Sequence, residues 1–307
     1  MHSHDHGTAG GGGTRRRLIV ALTITATFAI AEVVGALITG SLTLLADAGH
    51  MLSDSIGLVV AVIASVVAAR PATDRSTFGY RRAEVFGALL NSLVLLGIAV
   101  LVAVEGISRL LSPEPGEVLA LPMLVIAVLG LAVNAVSLGV LRGGRVESIN
   151  VRGAYLEVLG DMLGSVAAII AAIVILTTGF ASADAIASLA VAAMILPRAI
   201  LLLRDVMSVL NQSVPTGTSV ADIRAHILES DGVVDVHDVH VWAITTGAPV
   251  FTAHVVVDAS IFESGRTDEL LDSLTSCLSH HFDVEHSTFQ LEPATHAGHE
   301  HAAGRHA

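Results

Sequence analysis

The chain has 307 residues, 53% hydrophobic and 14% charged, with a mean hydropathy of +0.73, the composition of a polytopic membrane protein with room for one modest soluble domain. The formal charge is −12, and after Asn211 there are 14 acidic residues against three arginines, so the membrane part is nearly neutral and nucleic-acid binding is excluded. A single cysteine, Cys277, excludes an internal disulfide and fits a reducing compartment.

Residues 1–17 read as a disordered, polar, glycine-rich tail carrying His2, His4, Asp5 and His6, a short tract able to hold metal loosely. Arg15, Arg16 and Arg17 precede the first apolar span, Leu18 to Gly40. That span is too long for a secretory signal and contains Glu32, so it reads as a retained helix. The second span, Leu42 to Ala69, carries LLADAGHMLSD with three ionisable groups, Asp47, His50 and Asp54. Their i−3 and i+4 spacing about His50 puts all three on one helical face. Charge inside hydrocarbon is costly, which makes these residues functional candidates.

A polar link with four arginines, Arg70 to Arg82, leads to a third span, Ala83 to Leu111. The loop SPEPGE breaks the chain before the fourth span, Val118 to Leu141. A link with three arginines follows, Arg142 to Arg152, and then the fifth span, Gly153 to Thr178. There Glu157-Val-Leu-Gly-Asp161 repeats the i,i+4 acidic spacing of the second span. Facing helices would bring together one imidazole and three carboxylates, His50, Asp54, Glu157 and Asp161, a donor set that divalent transition metals take. The alternative is that these polar groups are helix-packing glue. The sixth span, Ala181 to Leu210, closes a membrane domain of residues 18–210. Arginines gather on one side, Arg198 and Arg204 among them, and the opposite-side loops hold only Arg109 near their edge, so both termini are expected in the cytoplasm.

From Asn211 to Pro293 the pattern is that of a small soluble domain, α-β-β-α-β in order. Ser219 caps a helix from Ala221 to Glu229. Two β-rich runs, Val233 to Ile244 and Val250 to Val257, flank the turn TTGAP. Thr267 to Phe282 carries a helical apolar stripe, and His286 to Glu292 is a final strand. Such a domain is marginal alone, so docking with a second copy would help it. His237, Asp238 and His240 lie on its first strand, His254 on the second, and His286 and Glu292 on the third. Strand alternation lets Asp238 and His240 face one way and His237 the other. Residues 294–307 read as a second histidine-rich disordered tail, with His296, His299, His301 and His306.

LLADAGHMLSD, TFGYRRAEVFGALLNS, EVLGDMLGS, DAIASLAVAAMIL, VHDVHVW and HSTFQLE occur in this order from about Ser41 to Glu292. In these motifs the chain resembles the cation diffusion facilitator family, in its bacterial zinc, cadmium and cobalt efflux branch. The resemblance implies six transmembrane helices, a cytoplasmic ferredoxin-like α+β domain, a homodimer in a bacterial-type inner membrane, and export of divalent metal in exchange for protons. It implies His50, Asp54 and Asp161 as transport ligands and Asp47 as an outer acid. It also implies His237, His254 and Glu292 as regulatory metal ligands, with His240 and His286 as further ones.

One position departs: that branch usually has histidine where this chain has Glu157. The oxygen donor makes the site harder, so zinc remains acceptable while manganese, cobalt and ferrous iron become easier to accept. The expected protein is therefore a secondary active transporter with no enzymatic cofactor and only the divalent cation as bound metal. The alternatives are a different ion preference and a non-transporting metal sensor. An intramembrane metallo-enzyme is unsupported, since neither HExxH nor GxSxG occurs in a membrane span. ATP-driven transport lacks a Walker A motif.

Overall fold

A computed structural model describes residues 11–112, 117–142, 149–245, 247–282, 284 and 286–297. It divides into two compact units, Met1–Val62 with Gly87–Leu203 and Ile63–Phe86 with Arg204–Ala307. Among the described residues six helices are long and apolar enough to cross a membrane: α1 Gly11–Thr39, α2 Leu42–Ala68, α3 Ala83–Leu111, α4 Ala120–Arg142, α5 Ile149–Thr178 and α6 Ser182–Leu210. The chain is thus a multi-pass membrane protein. Helix α1 starts at Gly11, so residues 11–17, expected in the tail, are its first two turns. Arginine is a good helix former and continues the helix beyond the apolar span.

The first unit places large apolar residues outside and small ones inside. Leu37, Val59 and Val104 are exposed, whereas Ala36, Ala46, Ala99, Ala127, Ala168, Ala172 and Ala199 are buried. Lipid tails are as apolar as leucine, so helices associate through close packing of small residues and through polar contacts rather than by hiding leucine. One core joins α1, α2, α4, α5 and the start of α6 around Leu44 and Met123. Another joins α2, α3 and α6 around Leu95, Val102 and Ile195. Helix α2 belongs to both, which puts its polar face at the centre of the unit.

The start of α2 is held by a carboxylate from α6. Asp184 accepts from Ser41 Oγ at 2.6 Å, from Leu42 N at 2.7 Å and from Thr43 N at 3.2 Å. These are first-turn donors that the helix itself leaves unpaired, and negative charge at a helix N-terminus is favourable. Arg109 stands 4.0 Å from Asp184 and donates to Gly40 O at 2.7 Å.

In the second unit α7, Val220–Leu228, is capped by Ser219 Oγ, which accepts from Asp222 N at 3.2 Å. Strands β1, Val233–Ala243, and β2, Pro249–Val257, pair antiparallel as the turn signal predicts. Strand β3, His286–Pro293, joins β2 in parallel. A parallel neighbour needs a crossover, here through α8, Ala259–Glu263, and α9, Thr267–His281. The short α8 is absent from the sequence reading. Asp258 caps it, and the hydrogen bonds from Ser260 hold its carboxyl below the usual carboxylate range. Ile223 and Ile227 of α7 and Leu270, Leu274 and Leu278 of α9 pack on Val236, Phe251 and Val255 of the sheet. A four-residue helix, α10, Ala294–Ala297, follows β3 where tail was expected, and it includes the backbone of His296. His2, His4, Asp5, His6, His299, His301 and His306 lie outside the described residues.

Candidate metal sites

In the first unit α2 presents His50 and Asp54 one turn apart, and α5 presents Asp161 opposite. His50 Nε2 lies 3.7 Å from Asp54 Oδ2 and 3.8 Å from Asp161 Oδ1. These separations are too long for hydrogen bonds. Donors around a tetrahedral ion bound at about 2.0–2.1 Å stand roughly 3.3 Å apart, so each carboxylate oxygen would close on the imidazole by about half an ångström. Neither His50 Nδ1 nor Asp161 Oδ1 has a hydrogen-bond partner among the described residues, although both are buried. A buried oxygen with bare lone pairs is costly unless something occupies it.

Glu157 stands apart from these three. Its Oε1 receives the Arg198 guanidinium at 2.5 Å, and its side chain is 45% exposed against 8% for Asp161. Arg198, on α6, also lies 3.7 Å from Asp54 Oδ2, and its Nη1 lies 3.5 Å from His50 Nε2. In the sequence this arginine serves only the charge bias of the loops. Its spacing held more, because Val191, Ile195 and Arg198 follow one another at helical intervals and the first two are buried.

Behind the site Asp47 is buried and accepts from Ser165 Oγ at 3.4 Å. Glu32 of α1, which had no assigned role, is wholly buried beside Asp47. A β-carbon at Gly164 would overlap the Asp47 carboxylate, so any larger residue there would push that carboxylate aside. A cavity of about 150 Å³ is lined by Asp47, His50, Gly164, Met194 and Arg198, among others.

The second unit holds a separate cluster. His237, His254 and Glu292 offer ligand atoms that all lie within 4.8 Å of one another. His254 Nδ1 is 2.7 Å from Glu292 Oε1, and His237 Nε2 is 3.9 Å from Glu292 Oε2. Strand register explains the convergence, since His237 pairs directly with His254 across β1 and β2. Glu292 pairs with Val256, two residues from His254 and on the same face. Two nitrogens and a buried carboxylate fit a zinc-like ion.

The expected alternation in VHDVHVW does not hold. Asp238 adopts φ 48°, and the ladder shifts between His237 and His240. This bulge inserts an extra residue, which brings Asp238 and His240 beside His254 on a groove of about 320 Å³ and leaves Asp238 Oδ2 3.1 Å from His237 Nδ1. Aspartate tolerates the left-handed region better than most residues. His286 is not brought to the cluster: it begins β3, six residues before Glu292, with its ring edge-on to Phe78 at 6.1 Å. Burial, helped by the charge of Glu229, holds the Cys277 thiol above its usual range, so it offers no ready thiolate ligand.

Fold and site define a class, a six-helix membrane protein with a carboxylate–imidazole centre among its helices and an α+β domain with a His–His–Glu cluster. Residues 18–211 match the cation efflux transmembrane domain family, and residues 215–294 match the cytoplasmic domain of cation efflux proteins. The chain belongs to the cation diffusion facilitator family, in its zinc, cadmium and cobalt efflux branch. It is 43% identical to the metal cation efflux system protein CzcD of Cupriavidus metallidurans, over 95% of this chain and 90% of that one. It is 40% identical to the zinc transporter ZitB of Escherichia coli, over 95% and 92%. It is 38% identical to a cadmium, cobalt and zinc/H(+)-K(+) antiporter of Bacillus velezensis, over 96% and 93%. A solved structure of the metal-bound C-terminal domain of CzcD is 35% identical, covering 24% of this chain and 99% of that one, with a TM-score of 0.22.

Proposed function

We propose that this protein exports divalent transition-metal cations, zinc foremost, from the cytoplasm in exchange for protons, as a secondary active transporter working by alternating access. The observation that carries this reading is His50 set between carboxylates of two helices, with a bare, buried oxygen on Asp161. Metal ligands must be deprotonated, so cargo binding releases protons, and protons arriving from the far side displace the cargo. His50 and Asp54 on α2 and Asp161 on α5 are the cargo ligands, with Asp47 behind them. Manganese, cobalt or iron preference depends on Glu157 as an oxygen ligand, and its pairing with Arg198 leaves zinc ahead. The arginine-rich links favour both termini in the cytoplasm, and the bacterial efflux relatives favour a bacterial-type inner membrane. The names of the relatives support zinc as cargo and protons as counter-ion.

The α+β domain pairs with that of a second copy, as its small core favours. His237, His254 and Glu292 would hold a regulatory ion that ties the three strands together, and His240 borders the same groove. A sensor without transport would leave the His50–Asp161 centre without a use.

Uptake into inverted vesicles with an acidic interior tests the reading. Zinc, cadmium, cobalt, manganese, iron and nickel are supplied in turn and interior pH is recorded. Zinc should accumulate fastest, with the interior turning alkaline as it enters. Uptake without any pH change would remove proton exchange, and no uptake of any ion would remove transport.

A further inference from the structure

Arg198 brings a permanent positive charge to the proposed cargo ligands. Its guanidinium contacts Glu157 at 2.5 Å and lies 3.7 Å from Asp54 and 3.5 Å from the His50 ring. It also lines the cavity that includes Asp47 and His50. A guanidinium keeps its proton at any physiological pH, so this charge can leave the ligands only by moving. We propose that Arg198 is a resident counter-cation of the transport site, which occupies the carboxylates between transport cycles and swings aside when a divalent ion enters. The proposal rests on the reading of His50, Asp54 and Asp161 as cargo ligands.

Charge balance supports it. With His50 neutral and the carboxylates ionised, Arg198 swinging aside with Glu157 is a neutral pair, and Asp54 and Asp161 keep two negative charges at the ligands. A site of two carboxylates and two imidazoles has that same charge, and one divalent ion neutralises it. Glu157 and Arg198 together therefore do electrostatically what a histidine at 157 would do alone. A lone Glu157 would add a surplus negative charge beside the ligands, where charge imbalance is unfavourable.

Geometry supports the movement. The side chains of Arg198 and Glu157 are 43% and 45% exposed, so the guanidinium has room to swing outward without crossing the core. Pro197, inside α6, removes the backbone donor that would bond to the Ala193 carbonyl, which loosens the helix beside Arg198. The competing account is a static ion pair that merely ties α5 to α6. Such a pair would govern stability and leave cargo affinity untouched.

A double-mutant cycle separates the two, using full-length protein in proteoliposomes and initial zinc rates over a concentration series. Arg198→Gln should lower the apparent KM by about threefold or more and also lower the maximal rate, because the cargo no longer displaces a resident cation and is released more slowly. Glu157→His alone should raise KM on the order of tenfold, since Arg198 then faces the incoming ion without its partner. Adding Arg198→Gln to Glu157→His should recover most of that loss, a coupling of the size that touching charges show. Arg198→Lys, which keeps the charge, should stay near the wild-type KM, and melting in detergent identifies any variant that fails to fold. An unchanged KM in folded Arg198→Gln, or effects of the two substitutions that simply multiply, would overturn the proposal. Asp161→Ala is run alongside: transport surviving there would overturn the site reading itself.

Discussion

Two buried aspartates in the six-helix unit live in opposite chemical states. Asp184 receives a hydroxyl and two backbone N–H groups, with an arginine close by. Asp161 keeps an oxygen without a hydrogen-bond partner among the described residues and faces an imidazole 3.8 Å away. Both are acids inside an apolar span, and sequence position alone ranks them equally. What separates them is how many donors the fold supplies. A carboxylate whose lone pairs are filled by its own protein stabilises a helix start, and one whose lone pairs are left bare can accept cargo.

The largest effect that would sharpen this contrast is on transport. Asp161→Ala or Asp54→Ala should cut zinc transport by at least about a hundredfold, since loss of even an outer partner costs a metal site 10–100-fold. Melting in detergent should hold for both, and for Asp161→Ala should hold or rise, because a poorly satisfied buried group has gone. Near-normal vesicle rates in either variant would break the contrast. Asp184→Ala should behave in the reverse way, losing roughly 1–3 kcal/mol of stability through unpaired helix donors while the KM per folded molecule stays put. Abolished transport at an unchanged melting point would move Asp184 into the working site. The smallest effect should follow joint alanine substitution of His237, His254 and Glu292. A distance probe between paired cytoplasmic domains should lose its zinc response, while transport falls by about threefold or less, since the cargo ligands lie in the other unit. A zinc response identical to wild type would reduce the cluster to surface chemistry.

Sequence pattern carried the fold a long way, because the signals involved are local. Six apolar spans, the Ser219 cap and the β1–β2 turn are each decided by neighbouring residues. The His50–Asp54 spacing is local too, and its meeting with Asp161 needed only the assumption of facing helices. Features that join distant residues stayed hidden. Nothing in α6 says that Asp184 caps α2, 142 residues earlier, or that Arg198 reaches Glu157, 41 residues earlier. Arg198 also fitted a rule about loop charge, and that rule absorbed the residue before its helical spacing was used. In VHDVHVW strict alternation failed at one backbone angle, and the bulge at Asp238 turned the expected two-faced strand into a one-sided donor edge. His286 was drawn in by residue type, whereas strand length separates it from Glu292.

The close approach at Gly164 has a mechanical corollary. With no side chain at Gly164 the α5 backbone passes close to the Asp47 carboxylate, and a rock of α5 about this crossing would move its two ends unequally. Asp161 lies about 4.5 Å along the axis from that point and Ile149 about 22 Å, at 1.5 Å per residue. A 10° rock would carry the far end of α5 through about 4 Å but Asp161 through less than about 1 Å. On such a motion the long arm would open a passage while the short arm would keep Asp161 nearly in place.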